Sequence, residues 1–157
     1  MIGLLQRVSS ASVTVDGAVI AAIGRGLLVL VGVEAGDREV QAERLVERLL
    51  GYRVFPDGAG RMNRSLREVC GGLLLVPQFT LAADTGKGTR PGFSTAAPHE
   101  TGRSLFNHLV GRARAEHPEV ASGHFAADMQ VTLTNDGPVT FWLRVTPPVS
   151  RGEDKDR

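Results

Sequence analysis

The stretch from Ala127 to Val145 constrains the fold more than any other part of this chain. Ala127, Met129, Val131 and Leu133 alternate with Asp128, Gln130 and Thr132. After Asn135-Asp136-Gly137-Pro138, the residues Val139, Phe141, Leu143 and Val145 alternate with Thr140, Trp142 and Arg144. A period of two on both sides predicts strands with one face on a core. The bend between them predicts an antiparallel pair. Gly reaches backbone angles closed to other residues, while Pro fixes φ and is the residue that readily takes a cis peptide bond. Gly137-Pro138 can therefore present two carbonyls in a geometry that no ordinary side chain supplies.

Upstream, residues 2–8, 11–15 and 18–23 read as short strands parted by Ser9-Ser10 and by Asp16-Gly17, the latter a hairpin signal. Leu27–Val33 is continuously apolar, as in a strand covered on both faces. Asp37 is placed to cap a helix whose buried face is Val40, Leu45, Val46, Leu49 and Leu50, with Gly51 as its stop. Tyr52–Phe55 predicts a short strand and residues 73–81 a buried one. Residues 82–97, rich in Gly, Pro, Thr and Ser, form a functional loop between apolar elements. Pro98 opens a second helix that buries Leu105, Phe106, Leu109, Val110 and Ala113. The result is an α+β domain over residues 1–149, with a mixed or mostly antiparallel sheet and two main helices; residues 150–157 form a frayed polar tail.

Composition narrows function by exclusion. A net charge of +1 gives no global basic field, so any nucleic-acid contact must come from a local patch. Cys70 is the only cysteine, which rules out an intramolecular disulfide and fits a reducing compartment. The start of the chain carries no signal-peptide core, and Leu27–Val33 is too short to span a bilayer, so the expected location is the cytoplasm.

The usual chemistry is missing. His99, His108, His117 and His124 lack the paired spacing of a zinc site and read as surface histidines. Gly86-Lys87-Gly88-Thr89 fails the phosphate-loop pattern. Cys70 reads as a buried, inert thiol. Thr80 has no base beside it in sequence to activate its hydroxyl. What survives is a polar rim. Gln78 and Phe79 suit a planar base through stacking and an edge hydrogen bond. Lys87 and Arg90 suit phosphate. The same residues equally suit a solvated loop with two surface charges.

Leu5-Gln6-Arg7-Val8, Gln78-Phe79-Thr80-Leu81, Ala83-Asp84-Thr85, Arg90-Pro91, Phe125–Val131 and Asn135–Thr140 together resemble D-aminoacyl-tRNA deacylases, the D-tyrosyl-tRNA(Tyr) deacylase family, over about residues 1–146. The resemblance implies a barrel-like deacylase fold and a homodimeric hydrolase without metal or cofactor. Its substrate is the ester joining a D-amino acid to the 3′ end of tRNA. Gly137 and Pro138, reaching in from the other subunit, would reject L side chains, with Arg7 holding them in place. Gln78, Phe79 and Thr80 would line the pocket, acting mainly through backbone N–H groups, while Lys87 and Arg90 bind tRNA. Glycine has no side chain to clash, so glycyl-tRNA(Ala) should pass the filter. Pro77 stands where the family usually has Ser, which excludes a Ser nucleophile there. It also motivates an alternative, proofreading of misacylated L-alanyl-tRNA. A catalytically silent tRNA-end-binding dimer is the remaining alternative.

Overall fold

The computed structural model describes residues 1–148; the predicted tail at 150–157 and the domain's final residue, 149, lie outside the described residues. Strand β1 (Ile2–Val15) organises the sheet. Ser9-Ser10 does not end it but marks where it changes neighbour. Ile2–Val8 pairs antiparallel with β3 (Gly26–Gly32), and Ala11–Val15 pairs with β2 (Ala18–Ile23). The β1–β2 hairpin turns at Asp16-Gly17, with φ of 49° and 78°, as the sequence predicts.

The predicted hairpin between 127–133 and 139–145 is not formed. Both arms belong to one strand, β8 (Gln130–Arg144), antiparallel to β1 along almost its whole length. Gln6 pairs with Thr140 and Val8 with Asn135, so Arg7 alone stands opposite residues 136–139. The alternation identified the buried face correctly but not the partner. With β1 available to pair with both arms, the Gly-Pro segment leaves the ladder as a bulge instead of reversing the chain.

From β3 the chain crosses over through α1 (Glu39–Gly51), the small ladder of β4 (Phe55–Pro56) with β5 (Met62–Arg64), and the one-turn helix α2 (Leu66–Val69). It returns as β6 (Gly72–Pro77), parallel to β3. A second crossover through α3 (His99–Glu116) leads to β7 (Val120–Ser122), parallel to β6. The order β2-β1-β3-β6-β7, with β8 also on β1, makes a mixed sheet. It curls until β2 approaches β6 and β7, giving a nearly closed barrel.

The curl separates two cores. Leu27, Val29, Leu73 and Leu75 face α1 and α3, where Leu45, Leu49, Phe106 and Leu109 meet them. Leu28, Leu74 and Val76 face the barrel interior with Val8, Val13 and Ile23. This is why β3 and β6 are apolar at every position. At the start of the β3–β6 ladder Gly26 lies so close to its partner Gly72 that a Cβ would sit 1.9 Å from the Gly72 carbonyl oxygen.

Several local readings change. Arg38, not Asp37, precedes α1 as its cap. Asp37 is buried and accepts from the Met1 ammonium at 2.8 Å and from the Glu34 N–H at 2.8 Å. The Met1 ammonium also donates to Glu34 Oε2 at 3.1 Å and to the Val145 carbonyl at 2.7 Å. A buried charge must find partners, and this one outcompetes the helix for the Asp37 carboxylate. Val40 is exposed, while Gln41 and Ala42 join the buried face of α1. The strand predicted over 52–55 shrinks to Phe55–Pro56, because only that stretch has a partner. Helix α2, unanticipated, is fixed by a reciprocal Ser65–Glu68 capping box. Cys70 is exposed, in the left-handed cap position after α2 (φ 50°). His117 is buried at the end of α3, its Nε2 2.6 Å from the Gly71 carbonyl oxygen. The second helix buries all five predicted residues.

Candidate active site

The strand predicted over 73–81 ends at Pro77, where β3 also runs out. The Gln78 N–H makes one last bond to the Val31 carbonyl at 2.7 Å. The chain then tightens into a 3-10 turn, Phe79–Ala82, closed by the Leu81 N–H on the Gln78 carbonyl at 3.2 Å. Gly32 seats this turn, since a Cβ there would lie 2.9 Å from Leu81 Cβ and 3.3 Å from the Gln78 carbonyl oxygen. The N–H groups of Phe79 and Thr80 precede the turn's first donor, the Leu81 N–H, so the turn itself offers them no acceptor.

Beside the turn is a pocket of about 610 Å³. Val31, Pro77, Gln78 and Phe79 form one wall, and Phe125 with the residues up to Met129 forms the other. Phe79 is 60% exposed and lies 5.3 Å from the Phe93 ring, leaving an aromatic face at the rim. Gln78 Nε2 donates to Thr80 Oγ1 at 2.5 Å, and no acceptor side chain among the described residues stands ready to take the Thr80 hydroxyl proton. Thr80 is exposed and does not line the pocket. Lys87 and Arg90 lie on the exposed loop and do not line it either. That loop is pinned by paired N–H to carbonyl bonds between Asp84 and Gly92, at 2.8 and 2.9 Å.

Sequence reasoning assigned no role to the opposite wall, although Phe125–Val131 was part of the recognised pattern. Gly102 makes room for the Phe125 ring, which would be 3.3 Å from a Cβ there. His99 meets the same ring edge-on at 5.2 Å. Ala126 takes a positive φ of 63°, uncommon for a residue with a side chain, at the pocket surface. Nothing in its sequence context signalled this. Among the described residues, no group of three or more His, Cys, Asp or Glu could hold a metal ion.

Gly137 and Pro138 are both exposed on the bulge, joined by a cis peptide bond. Arg7 braces it from the facing strand. Its Nε donates to the Asp136 carbonyl at 3.1 Å and lies 3.3 Å from Oδ2 of Asp136, while its Nη1 donates to the Val54 carbonyl at 2.7 Å. Asn135 closes the base of the bulge: its Oδ1 accepts from the Val139 N–H at 3.0 Å, and its Nδ2 donates to Thr140 Oγ1 at 2.8 Å. Neither Gly137, Pro138 nor Arg7 lines the pocket of its own chain. The structure thus brings Gln78 and Phe79 together at the pocket, and Arg7 to the Gly-Pro bulge, as two separate places on one chain.

Comparison with known proteins places the whole chain in a family. A family model described as D-Tyr-tRNA(Tyr) deacylase matches residues 4–144. The D-aminoacyl-tRNA deacylase of Alkalilimnicola ehrlichii is 64% identical over 147 residues, covering 94% of this chain and 98% of the relative. That of Thioalkalivibrio sulfidiphilus is 63% identical, covering 94% and 99%. Among solved structures, a c-Myc DNA unwinding element binding protein superposes with a TM-score of 0.89 at 38% identity, over 94% of this chain and all of that one. A probable eukaryotic D-amino acid tRNA deacylase shares the fold, with a TM-score of 0.74 at 18% identity, over 90% and 97%.

Proposed function

The chain belongs to the D-Tyr-tRNA(Tyr) deacylase family, a family of hydrolases, and we propose that its D-aminoacyl-tRNA deacylase activity comes from a site shared between two copies. The observation that carries this reading is the Gly137-Pro138 bulge: exposed, braced by Arg7 and Asn135, and outside its own protomer's pocket. In a homodimer it would enter the partner's pocket, where its carbonyls hold the α-amino group of the substrate. A rigid backbone wall then rejects an L side chain by collision, while a D side chain points away.

The remaining chemistry is modest because an aminoacyl ester is already activated. The terminal adenosine of tRNA stacks on the exposed aromatic face at Phe79. The Phe79 and Thr80 N–H groups polarise the ester carbonyl and stabilise the oxyanion as water adds to the carbonyl carbon. The bond from that carbon to the ribose 3′-oxygen then breaks. The leaving 3′-oxygen takes up the proton that the attacking water gives up, relayed by the adjacent 2′-hydroxyl of the substrate. No side-chain nucleophile is needed, and Thr80→Ala should retain most activity. Complete loss with the fold intact would instead assign the hydroxyl a direct role.

Paired deacylation of D-tyrosyl- and L-tyrosyl-tRNA tests the reading. Release of D-tyrosine alone is expected; equal rates, or no D-tyrosine release, would overturn it. Glycyl-tRNA(Ala) should also be cleared, since glycine presents nothing to the wall. Pro77 favours one second reading, activity on L-alanyl-tRNA, which requires hydrolysis of that substrate at a rate comparable to D-tyrosyl-tRNA. The same reading carries a cytoplasmic location with it, since that is where charged tRNA is used. No helix among the described residues is long and apolar enough to cross a membrane.

A further inference from the structure

A second concavity, of about 450 Å³, opens on the far side of Phe106 and Phe125, the two rings it shares with the active-site pocket. Its floor is apolar, from Phe106, Val110 and Phe125, and its rim is polar and cationic. Arg103, Asn107, Gly111 and Arg114 lie along one face of α3, and Ser122 and His124 face them from β7 and the segment after it. The helical spacing of 103, 107, 111 and 114 makes a continuous stripe. At about 1.5 Å per residue, the two arginines stand about 16 Å apart along the axis. Gly111 leaves the middle open, with no atom within 4 Å of a Cβ placed there.

These arginines are free to act on a ligand. Neither Arg103 nor Arg114 has a carboxylate partner among the described residues, whereas Arg67 and Arg112 share Glu116. Arg103 lies over the Phe125 ring, 5.5 Å from its centroid, so its position is tied to the wall that both pockets share. Arg114 makes only a long contact, 3.5 Å, to Ser122 Oγ.

We propose that this groove binds the phosphodiester backbone of the tRNA acceptor end, just upstream of the adenosine held at Phe79. The proposal rests on the deacylase reading of the active site. A strand whose terminal nucleoside occupies the first pocket must lead out past one of its walls, and the Phe106–Phe125 wall opens onto two arginines with no carboxylate partner among the described residues. Arg103 and Arg114 are too far apart for a single phosphate, given an axial spacing of about 3.4 Å along one strand. They grip separate phosphates, with Asn107, Ser122 and His124 as hydrogen-bonding partners between them. Lys87 and Arg90 line neither concavity, so any contact they make with tRNA is separate from this track.

The test compares two substrates and one ligand with the double variant Arg103→Gln/Arg114→Gln. Against D-tyrosyl-tRNA, KM should rise at least tenfold with kcat little changed. Against 3′-O-D-tyrosyl-adenosine, which has no upstream phosphate, kcat/KM should be unchanged. Binding of uncharged tRNA, followed by fluorescence anisotropy, should show a log–log salt dependence shallower by about 1.4, since each phosphate no longer neutralised on a single strand removes about 0.7 from the slope. Arg103→Lys/Arg114→Lys should restore most of that slope. An unchanged KM for tRNA together with an unchanged salt slope would overturn the proposal, as would equal losses on both substrates. If the unmodified enzyme hydrolysed neither substrate, the deacylase reading would fail by itself; the salt slope would still decide whether the groove holds RNA.

Discussion

Gly32→Ala offers a way to move the 3-10 turn without touching any residue that meets substrate. The added Cβ would lie 2.9 Å from Leu81 Cβ and 3.5 Å from the Ala82 nitrogen. Carbon atoms pack comfortably at about 3.5–4.0 Å, so the turn must retreat by about 0.6–1 Å or the strand must yield. Overpacking of this kind costs about 1–3 kcal/mol. The catalytic effect should be larger. If the Phe79 and Thr80 N–H groups form the oxyanion site, displacing them by about 1 Å should lower kcat/KM by about 100-fold. Urea unfolding and D-tyrosyl-tRNA hydrolysis, measured on the same preparation, separate the two effects. Gly51→Ala is the control, because no atom lies within 4 Å of its Cβ position. A Gly32→Ala protein that is destabilised yet hydrolyses substrate within about threefold of the unmodified rate would refute the assignment of the turn as the oxyanion element.

Arg7→Ala removes the donors to the Asp136 and Val54 carbonyls. It should cost about 2–3 kcal/mol in urea unfolding and reduce the D-to-L rate ratio, and Arg7→Lys should not restore it because one ammonium cannot span both acceptors. An unchanged ratio would detach Arg7 from the chiral filter. Asp37→Asn leaves the buried Met1 ammonium with Glu34 as its remaining carboxylate partner and should destabilise by about 2–3 kcal/mol; a loss under about 0.5 kcal/mol in the same assay would mean the Asp37 pair adds little net stability. Glu34 supplies a pH dependence. Burial pushes its carboxyl pKa up, but hydrogen bonds from Arg144 and the Met1 ammonium outweigh that and hold it below the ordinary value of 4.5. Its contribution is thus fully present above that value and is lost as pH falls through the lower folded-state pKa. Glu34→Gln should flatten the acid limb of a melting-temperature profile, and an identical limb would exclude this carboxylate as its source.

The sequence was most legible where one physical signal had one structural meaning. Continuous apolar runs gave β3 and β6, helical periodicity gave the buried face of α3, and Asp16-Gly17 gave its hairpin. Alternation around Gly137-Pro138 gave the correct faces but the wrong partner, because period two says nothing about which strand lies alongside. Asp37 misled for a related reason. A residue that commonly caps helices was claimed by a buried ammonium brought from the start of the chain, a contact between positions 36 residues apart. At the candidate site, the recognised pattern contains Gln78 and Phe79, which the structure brings to one pocket, and the Gly-Pro segment, which stands apart as an exposed bulge. The opposite wall was not assigned because Phe125 and Ala126 act through shape and backbone angle and carry no reactive group. Gly32 was silent for the same reason: its contribution is the side chain it lacks.

The pairing of β1 with β8 also bears on how the chain reaches this structure. Leu5 meets Phe141 and Val13 meets Val131, contacts that close loops of more than a hundred residues. On a ribosome, β1 emerges first and finds β2 and β3 within its own neighbourhood, yet its other edge waits for nearly the whole domain to be made. Until then that edge is an open row of peptide groups that any passing strand could occupy. Such long closures favour slow folding, and they make the nascent chain, rather than the finished enzyme, the form most exposed to misassociation.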